Sequence, residues 1–188
     1  AWILDYLKTL AGQPNIHLLD IGLGSGCIGI TLKKKNAGIR LFGLEVSPEA
    51  LDVAVLNATK ILGEKGEFTF LQGDIRERTT WDLFPTMQVI VSNPPYIPET
   101  EKALIPEHVL AHEPSLALFV DNDDPLLFYK TIADFALEKL EISGMLFFEC
   151  NEFNAAQVAA LLVEKGFEEV ELKKDLSGAD RMVAGKRA

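Results

Sequence analysis

The stretch that decides the fold is Ile16-His17-Leu18-Leu19-Asp20-Ile21-Gly22-Leu23-Gly24-Ser25-Gly26-Cys27-Ile28-Gly29. Its first six residues form a short apolar run ending near an acid, the pattern of a buried strand. Cys27 to Lys35 starts apolar and ends in three lysines, which predicts a helix with cations at its C-terminus. Between them, alternating glycines allow a tight turn and let a ligand approach the backbone with no Cβ in the way. The helix start beyond offers free N–H groups. Strand, glycine turn and helix form the opening unit of an open α/β sheet, in which ligands sit beyond the carboxyl ends of the strands. The turn is therefore predicted to hold a nucleotide-like ligand.

Working outward, the same alternation continues. Arg40 to Val46 reads as a second strand. Ser47 is placed as an N-cap with Pro48 at the first helical position, and the helix runs to about Leu62 and stops at Gly63. Phe68–Leu71 and Met87–Val91 are predicted strands three and four. Asn93 to Asp124 is proline-rich without helical or strand periodicity, and a connection that long in a compact domain is usually functional. A helix over Leu126–Leu140, a strand over Gly144–Cys150, a helix over Ala155–Lys165 ended by Gly166, and strands over Glu168–Leu172 and Arg181–Lys186 complete the chain. This predicts one α/β domain with a mostly parallel sheet covered on both faces and an antiparallel hairpin at one edge.

Composition narrows the class. The chain has 188 residues with 28 Asp+Glu against 18 Lys+Arg, a formal charge of -10, and 48% hydrophobic residues. That length supports a self-sufficient core. The acidic balance disfavours a phosphate backbone as partner, since such binding leaves a basic footprint. No apolar run approaches the roughly 18 residues of a membrane span, and no signal-peptide pattern is present, so a cytoplasmic protein is expected. Cys27 and Cys150 are far apart with no Cys-x-x-Cys spacing, which predicts reduced thiols behaving as small buried hydrophobes. His108 and His112 have i, i+4 spacing beside Glu107 and Glu113, but no third-ligand signature accompanies them, so no metal is expected. His17, at the start of the first strand, is read as structural.

The strand ends supply the candidate chemistry. Gly24-x-Gly26-x-x-Gly29, with Glu45 about 20 residues on, satisfies the dinucleotide fingerprint. Asp20 and Gly22 extend it to Asp-x-Gly-x-Gly-x-Gly, which resembles motif I of S-adenosylmethionine-dependent methyltransferases. A carboxylate suits a cationic sulfonium ligand and would repel a pyrophosphate. Glu45 can take ribose hydroxyls in either reading. Asp74, in Gly73-Asp74-Ile75 at the end of strand three, is a candidate for an adenine amino group. Strand four ends in Val91-Ser92-Asn93-Pro94-Pro95-Tyr96. The consecutive prolines fix the backbone and remove N–H donors, leaving the Asn93 side chain and the Pro94 carbonyl as acceptors, with Tyr96 as a flat wall. That arrangement suits methyl transfer to a planar nitrogen whose N–H groups are held by these two acceptors.

Taken in order, Leu18–Ile30, Glu45–Leu51, Gly73-Asp74, Val91–Ile97, Glu113-Pro114-Ser115-Leu116-Ala117-Leu118, Phe128-Tyr129-Lys130 and Lys174–Arg181 resemble the release-factor glutamine methyltransferases, the PrmC/HemK family. The resemblance implies a Rossmann-like class I S-adenosylmethionine-dependent methyltransferase fold with a seven-stranded sheet. It implies methylation of the side-chain amide of the glutamine in the Gly-Gly-Gln loop of bacterial class I peptide chain release factors, in translation termination. It places Asp20, Gly22, Leu23, Gly24, Ser25, Gly26, Glu45, Asp74, Ile75 and Asn93 around S-adenosyl-L-methionine. Asn93, Pro94, Pro95 and Tyr96 fall around the substrate amide, with Asn93, Pro94 and Tyr96 catalytic. Residues 1–188 are expected to be the catalytic domain, with the family's small N-terminal helical domain outside them. The family's glycine-rich turn before Phe128 is replaced here by Val120-Asp121-Asn122-Asp123-Asp124-Pro125-Leu126.

Three rivals compete with this reading. An N-methyltransferase acting on an exocyclic base amine of RNA or DNA would use the same Asn-Pro-Pro-Tyr chemistry, but would want basic grooves. A nicotinamide dehydrogenase would use the glycine turn and leave Asn93 to Tyr96 without a role. A catalytically silent cofactor-binding module would not need Asn93 to Tyr96 intact.

Overall fold

The sheet is organised around β1 (Ile16–Ile21), whose neighbours on both sides run parallel to it. The computed structural model describes residues 1–63, 66–95, 97–98, 119–120 and 124–188. The other strands are β2 (Ile39–Glu45), β3 (Phe68–Gln72), β4 (Met87–Ser92), β5 (Ile97–Pro98), β6 (Phe119–Val120), β7 (Leu140–Glu149), β8 (Phe167–Lys174) and β9 (Asp180–Arg187). The helices are α1 (Trp2–Thr9), α2 (Cys27–Lys35), α3 (Pro48–Leu62), the single turn α4 (Arg78–Trp81), α5 (Leu127–Lys139) and α6 (Ala155–Glu164). The seven-stranded sheet has the order β3-β2-β1-β4-β7-β9-β8, and β5 and β6 form a separate short parallel pair.

The five strands from β3 to β7 are parallel, and β9 is antiparallel to both its neighbours. The expected hairpin is thus present at one side of the sheet, with β9 inserted between β7 and the edge strand β8. Two cores cover the faces. Leu19, Ile21, Leu44, Ile90 and Phe148 pack with α5 and α6 on one side; Leu18, Leu41, Val89, Val91 and Phe147 pack with α1 and α2 on the other. Leu18 and Leu19 are both fully buried, the signature of a central parallel strand. Truncating either to alanine is expected to cost about 2–5 kcal/mol.

Local signals account for the element ends. The Ser47 hydroxyl accepts from the Ala50 N–H at 3.1 Å and Pro48 opens α3, while Gly63 ends it at φ 83°. β7 and α4 depart from expectation, as does the β5–β6 pair, which forms within the Asn93–Asp124 stretch that showed no strand periodicity. β7 begins at Leu140, four residues before the predicted Gly144, because Met87 pairs with Leu140 and Val89 with Met145 across an irregularity that holds Ser143 at φ 68°. α4 was not expected; it is held by burial of Trp81, whose indole N–H donates to the Ile75 carbonyl at 2.7 Å. Among the described residues no helix is long and apolar enough to cross a membrane.

Candidate active site

A cavity of about 240 Å³ opens at the carboxyl ends of β1, β2 and β4, and α5 closes its far wall with Leu127, Phe128 and Ile132. Gly22, Gly24 and Gly26 take positive φ values of 71°, 54° and 82°, a backbone path that residues with a Cβ rarely follow. The Gly22 and Leu23 N–H groups both donate to the Leu44 carbonyl, at 2.9 and 3.0 Å. Leu23 is buried and packs where Gly43 has no side chain: a Cβ there would lie 2.7 Å from Leu23 Cδ2. The loop is therefore stitched to β2 by backbone and side chain together.

Glu45 completes that stitching. Its Oε2 accepts from the Gly24 N–H at 2.7 Å, and its Oε1 accepts from the Val46 and Ser47 N–H groups at 2.9 and 3.0 Å. A carboxylate has about four acceptor positions, so roughly one remains, on Oε2, for a ligand hydroxyl. Asp74 also lines the cavity, and both its oxygens receive Arg76: the side chain at 2.6 to 3.0 Å and the backbone N–H at 2.9 Å. That pairing holds the Asp74 carboxyl below its ordinary range. The Arg76 guanidinium in turn lies 5.4 Å from the Phe128 ring centroid.

On the β4 side, the Ser92 hydroxyl is fully buried and donates to the Ile21 carbonyl at 2.7 Å, tying the end of β4 to the end of β1. This sets the turn that follows. Asn93, Pro94 and Pro95 line the cavity opposite the glycine loop. Asn93 is exposed, and its side-chain amide makes no hydrogen bond to a described residue.

The cavity thus brings together Gly22, Gly24, Glu45, Asp74, Ile75, Asn93, Pro94 and Pro95 of the expected set. Leu23, Ser25, Gly26 and Asp20 are not on its walls. Ser25 faces α3, where its carbonyl accepts from Asn57 at 3.0 Å, and Gly26 is the N-cap of α2. Asp20 lies beneath the loop and accepts from the Gly29 N–H at 2.8 Å. A Cβ on Gly29 would sit 3.0 Å from Asp20 Oδ2 and 2.8 Å from Leu41, so glycine is what lets α2 approach β1 this closely. Burial drives the Asp20 carboxyl up to about 8 against the Gly29 hydrogen bond, and the Glu45 charge adds to the rise. Burial thereby favours its neutral form, and among the described residues the carboxylates on the cavity walls are Glu45 and Asp74.

Tyr96, His108, His112 and the Glu113–Leu118 segment lie outside the described residues, as do residues 121–123 of the altered turn. Arg76, Val46 and Phe128 line the cavity without having been singled out as site residues. Phe128 stood in the Phe-Tyr-Lys stretch, and an aromatic at a helix start after a long loop was the signal available for it. Cys150 is buried, with its thiol pushed up to about 12 by burial, whereas Cys27 departs from the expectation of burial. Cys27 is exposed at the start of α2, 3.2 Å from the Ser25 hydroxyl. His17 does serve the fold: its ring stacks edge-on against Phe42 at 5.4 Å and its Nδ1 lies 3.0 Å from the Thr86 carbonyl.

A glycine turn after the first strand, an acid at the end of the second and an antiparallel strand slotted next to the far edge define the class I methyltransferase fold. Solved structures share it. The magnesium protoporphyrin IX methyltransferase (ChlM) of Synechocystis PCC 6803 with bound SAM aligns at a TM-score of 0.65 and 15% identity, over 100% of this chain and 77% of that one. TrmN from Thermus thermophilus aligns at 0.64 and 17% identity, over 98% of this chain and 48% of that one. More particularly, the chain belongs to the methyltransferase small domain family, whose model matches residues 4–115.

Sequence relatives are closer. The release factor glutamine methyltransferase of Flavobacterium psychrophilum is 41% identical over 97% of this chain and 62% of that protein. The Bacteroides thetaiotaomicron protein of the same name is 37% identical over 91% of this chain and 60% of that protein. The chain therefore spans about three fifths of the length of these curated relatives.

Proposed function

We propose that residues 1–188 work as the catalytic domain of an S-adenosylmethionine-dependent methyltransferase. Its acceptor in this reading is the side-chain amide nitrogen of the glutamine in the Gly-Gly-Gln loop of bacterial class I release factors. The partner is a cytoplasmic protein, and no direct nucleic-acid contact is expected. One observation carries the reading: Asn93, Pro94 and Pro95 stand on the same cavity as the glycine loop and Glu45, so an amide acceptor and a nucleoside-bearing donor would meet there. The names of the relatives, at 41% and 37% identity, agree with it.

The residues present suit the donor. The loop at Gly22 and Gly24 offers backbone without Cβ, Glu45 keeps an acceptor position free, and Asp74 adds a second acid beside Ile75. Leu23, Ser25, Gly26 and Asp20 support that wall from behind. When bound, S-adenosylmethionine supplies an electrophilic methyl on a sulfonium.

An amide nitrogen is a weak nucleophile because its lone pair is delocalised, and among the described residues no strong base lines the cavity. Positioning is therefore the economical source of rate. The Asn93 Oδ1 and the Pro94 carbonyl accept the two amide N–H bonds, favour pyramidal nitrogen and stabilise the positive charge that grows on it. The nitrogen gains the methyl carbon as the methyl–sulfur bond breaks, its electron pair staying on sulfur in the neutral thioether that leaves, and the nitrogen afterwards gives up one proton to water. Tyr96, outside the described residues, is assigned to packing the acceptor.

The test offers the chain labelled S-adenosylmethionine together with a class I release factor, tRNA, rRNA and duplex DNA. Label on the release-factor glutamine is expected. Label confined to nucleic acid overturns the proposal.

A further inference from the structure

A second cavity, of about 270 Å³, lies on the opposite face of the sheet from α5. Trp2 and Ile3 of α1, Ile28 and Thr31 of α2, and Phe147 and Met182 of the sheet form its walls. Trp2 and Phe147 meet edge to face with centroids 5.4 Å apart, which stiffens one side. Ser92, at the carboxyl end of β4, lies on the walls of both cavities, so the two spaces meet the sheet at the same strand end.

Glu149 also lines this second space. The register pairs Ser92 with Phe148, so Glu149 follows one step further, at the level of Asn93. Met145 and Phe147 face the core beneath α1 and α2, and the two-residue period of the strand sends the Glu149 side chain the same way. It is half-buried, and its carboxylate makes no hydrogen bond or ion pair with a described residue, while its backbone pairs with Met182 and its carbonyl accepts from the Tyr129 hydroxyl at 3.2 Å. A partly desolvated carboxylate without a partner is costly, so donors arriving from outside would be held strongly.

We infer that this second cavity is a substrate subsite, in which Glu149 accepts backbone N–H groups of the peptide segment next to the methylated glutamine. The inference rests on the proposed function. The two glycines that precede the glutamine suit such an acceptor, because without a Cβ their N–H groups can reach a carboxylate between apolar walls. The acceptor amide then enters from the Ser92 side while its neighbours stay on the Glu149 side of the turn. Glu149 is thus assigned to substrate recognition, apart from the donor-binding wall formed by Glu45 and Asp74.

The experiment compares the wild-type chain with Glu149→Ala and Glu149→Gln for KM toward the release factor and for Kd of S-adenosylmethionine by calorimetry. Glu149→Ala is expected to raise KM about tenfold, the usual worth of one charged hydrogen bond, with the Kd of the donor within about twofold. Glu149→Gln retains an acceptor and should recover most of the loss, whereas recognition of a cationic side chain would leave Gln as impaired as Ala and overturn the N–H assignment. A wild-type chain that methylates the release factor beside a Glu149→Ala variant with unchanged KM overturns the subsite alone. A wild-type chain that transfers no methyl to the release factor overturns the underlying reading, and the subsite with it.

Discussion

The two sides of the cavity are built on opposite plans. On the β1–β2 side nearly every polar group already has a partner: Glu45 holds three backbone N–H groups, Asp74 holds Arg76, and the first N–H groups of the loop sit on Leu44. On the β4 side the framework is just as firm up to Ser92, but the Asn93 amide beyond it has no partner among the described residues. One side is rigid because its groups are satisfied within the protein, so it can receive a ligand with little reorganisation. The other leaves the Asn93 amide unused, and under the proposed function that amide is the acceptor for the group on which charge develops. Mutations on the two sides should therefore fail in different quantities.

The largest effect is expected at Asn93. Asn93→Ala should lower turnover at least ~10²-fold, the usual cost of one transition-state contact, and leave the Kd of S-adenosylmethionine within about threefold. Single-turnover transfer and calorimetry on the same preparation check both numbers. A variant that loses donor binding in step with turnover would erase the distinction between the two sides.

Glu45 sharpens the contrast from the other side. Glu45→Ala leaves three backbone N–H groups without an acceptor, and each buried donor left unsatisfied costs about 1–3 kcal/mol unless water reaches it. A Kd raised about tenfold is expected, with a lower unfolding midpoint. Turnover at saturating donor should change less than in Asn93→Ala. Glu45→Gln, which keeps an acceptor oxygen, should recover part of the affinity, and equal loss in Gln and Ala would show that the charge rather than the hydrogen bonding matters.

The sequence was most informative where the chain punctuates itself. α2 runs from Cys27 to Lys35 as expected because glycine and three lysines mark its ends, and α3 stops at Gly63 for the same kind of reason. Leu140 to Ser143 carried no such signal: exposed Glu141 and Ile142 continue a helical spacing, and the strand reaches back over them only because Leu140 pairs with Met87 across the irregularity that precedes Met145. The insertion of β9 between β7 and β8 is likewise a matter of long-range pairing, invisible in local pattern. The site divides in the same way. Gly22, Gly24, Glu45, Asp74 and Asn93 were legible because strand ends are where such folds place ligands, while Arg76 and Phe128 reach the cavity through a side-chain contact between distant segments. Asp20 looked like a ligand carboxylate because it opens the Asp-x-Gly-x-Gly-x-Gly pattern, yet in a strand every second side chain turns to the other face, and this one turns under α2.

Asp20 is where the smallest functional effect and a distinct thermodynamic one are expected. Folding raises its carboxyl to about 8 from an ordinary value of 3.8, chiefly by burial. Below about pH 4 the group is neutral in both states and costs nothing; between about 4 and 8 the unfolded chain ionises while the fold holds the proton, so stability falls as pH rises. The loss is at most about 1.4 kcal/mol per pH unit and ends once pH passes the folded value. Asp20→Asn keeps an oxygen to accept the Gly29 N–H and removes the ionisation, so its stability should stay flat across that window while turnover and donor affinity change little. Urea unfolding of both proteins at about pH 5, 6, 7 and 8 reads the difference. Parallel curves would mean that water or a local rearrangement relieves the buried acid. In that case Asp20 would be ionised near neutral pH and would add its charge to that of Glu45, making the loop side more negative than its hydrogen bonds alone require.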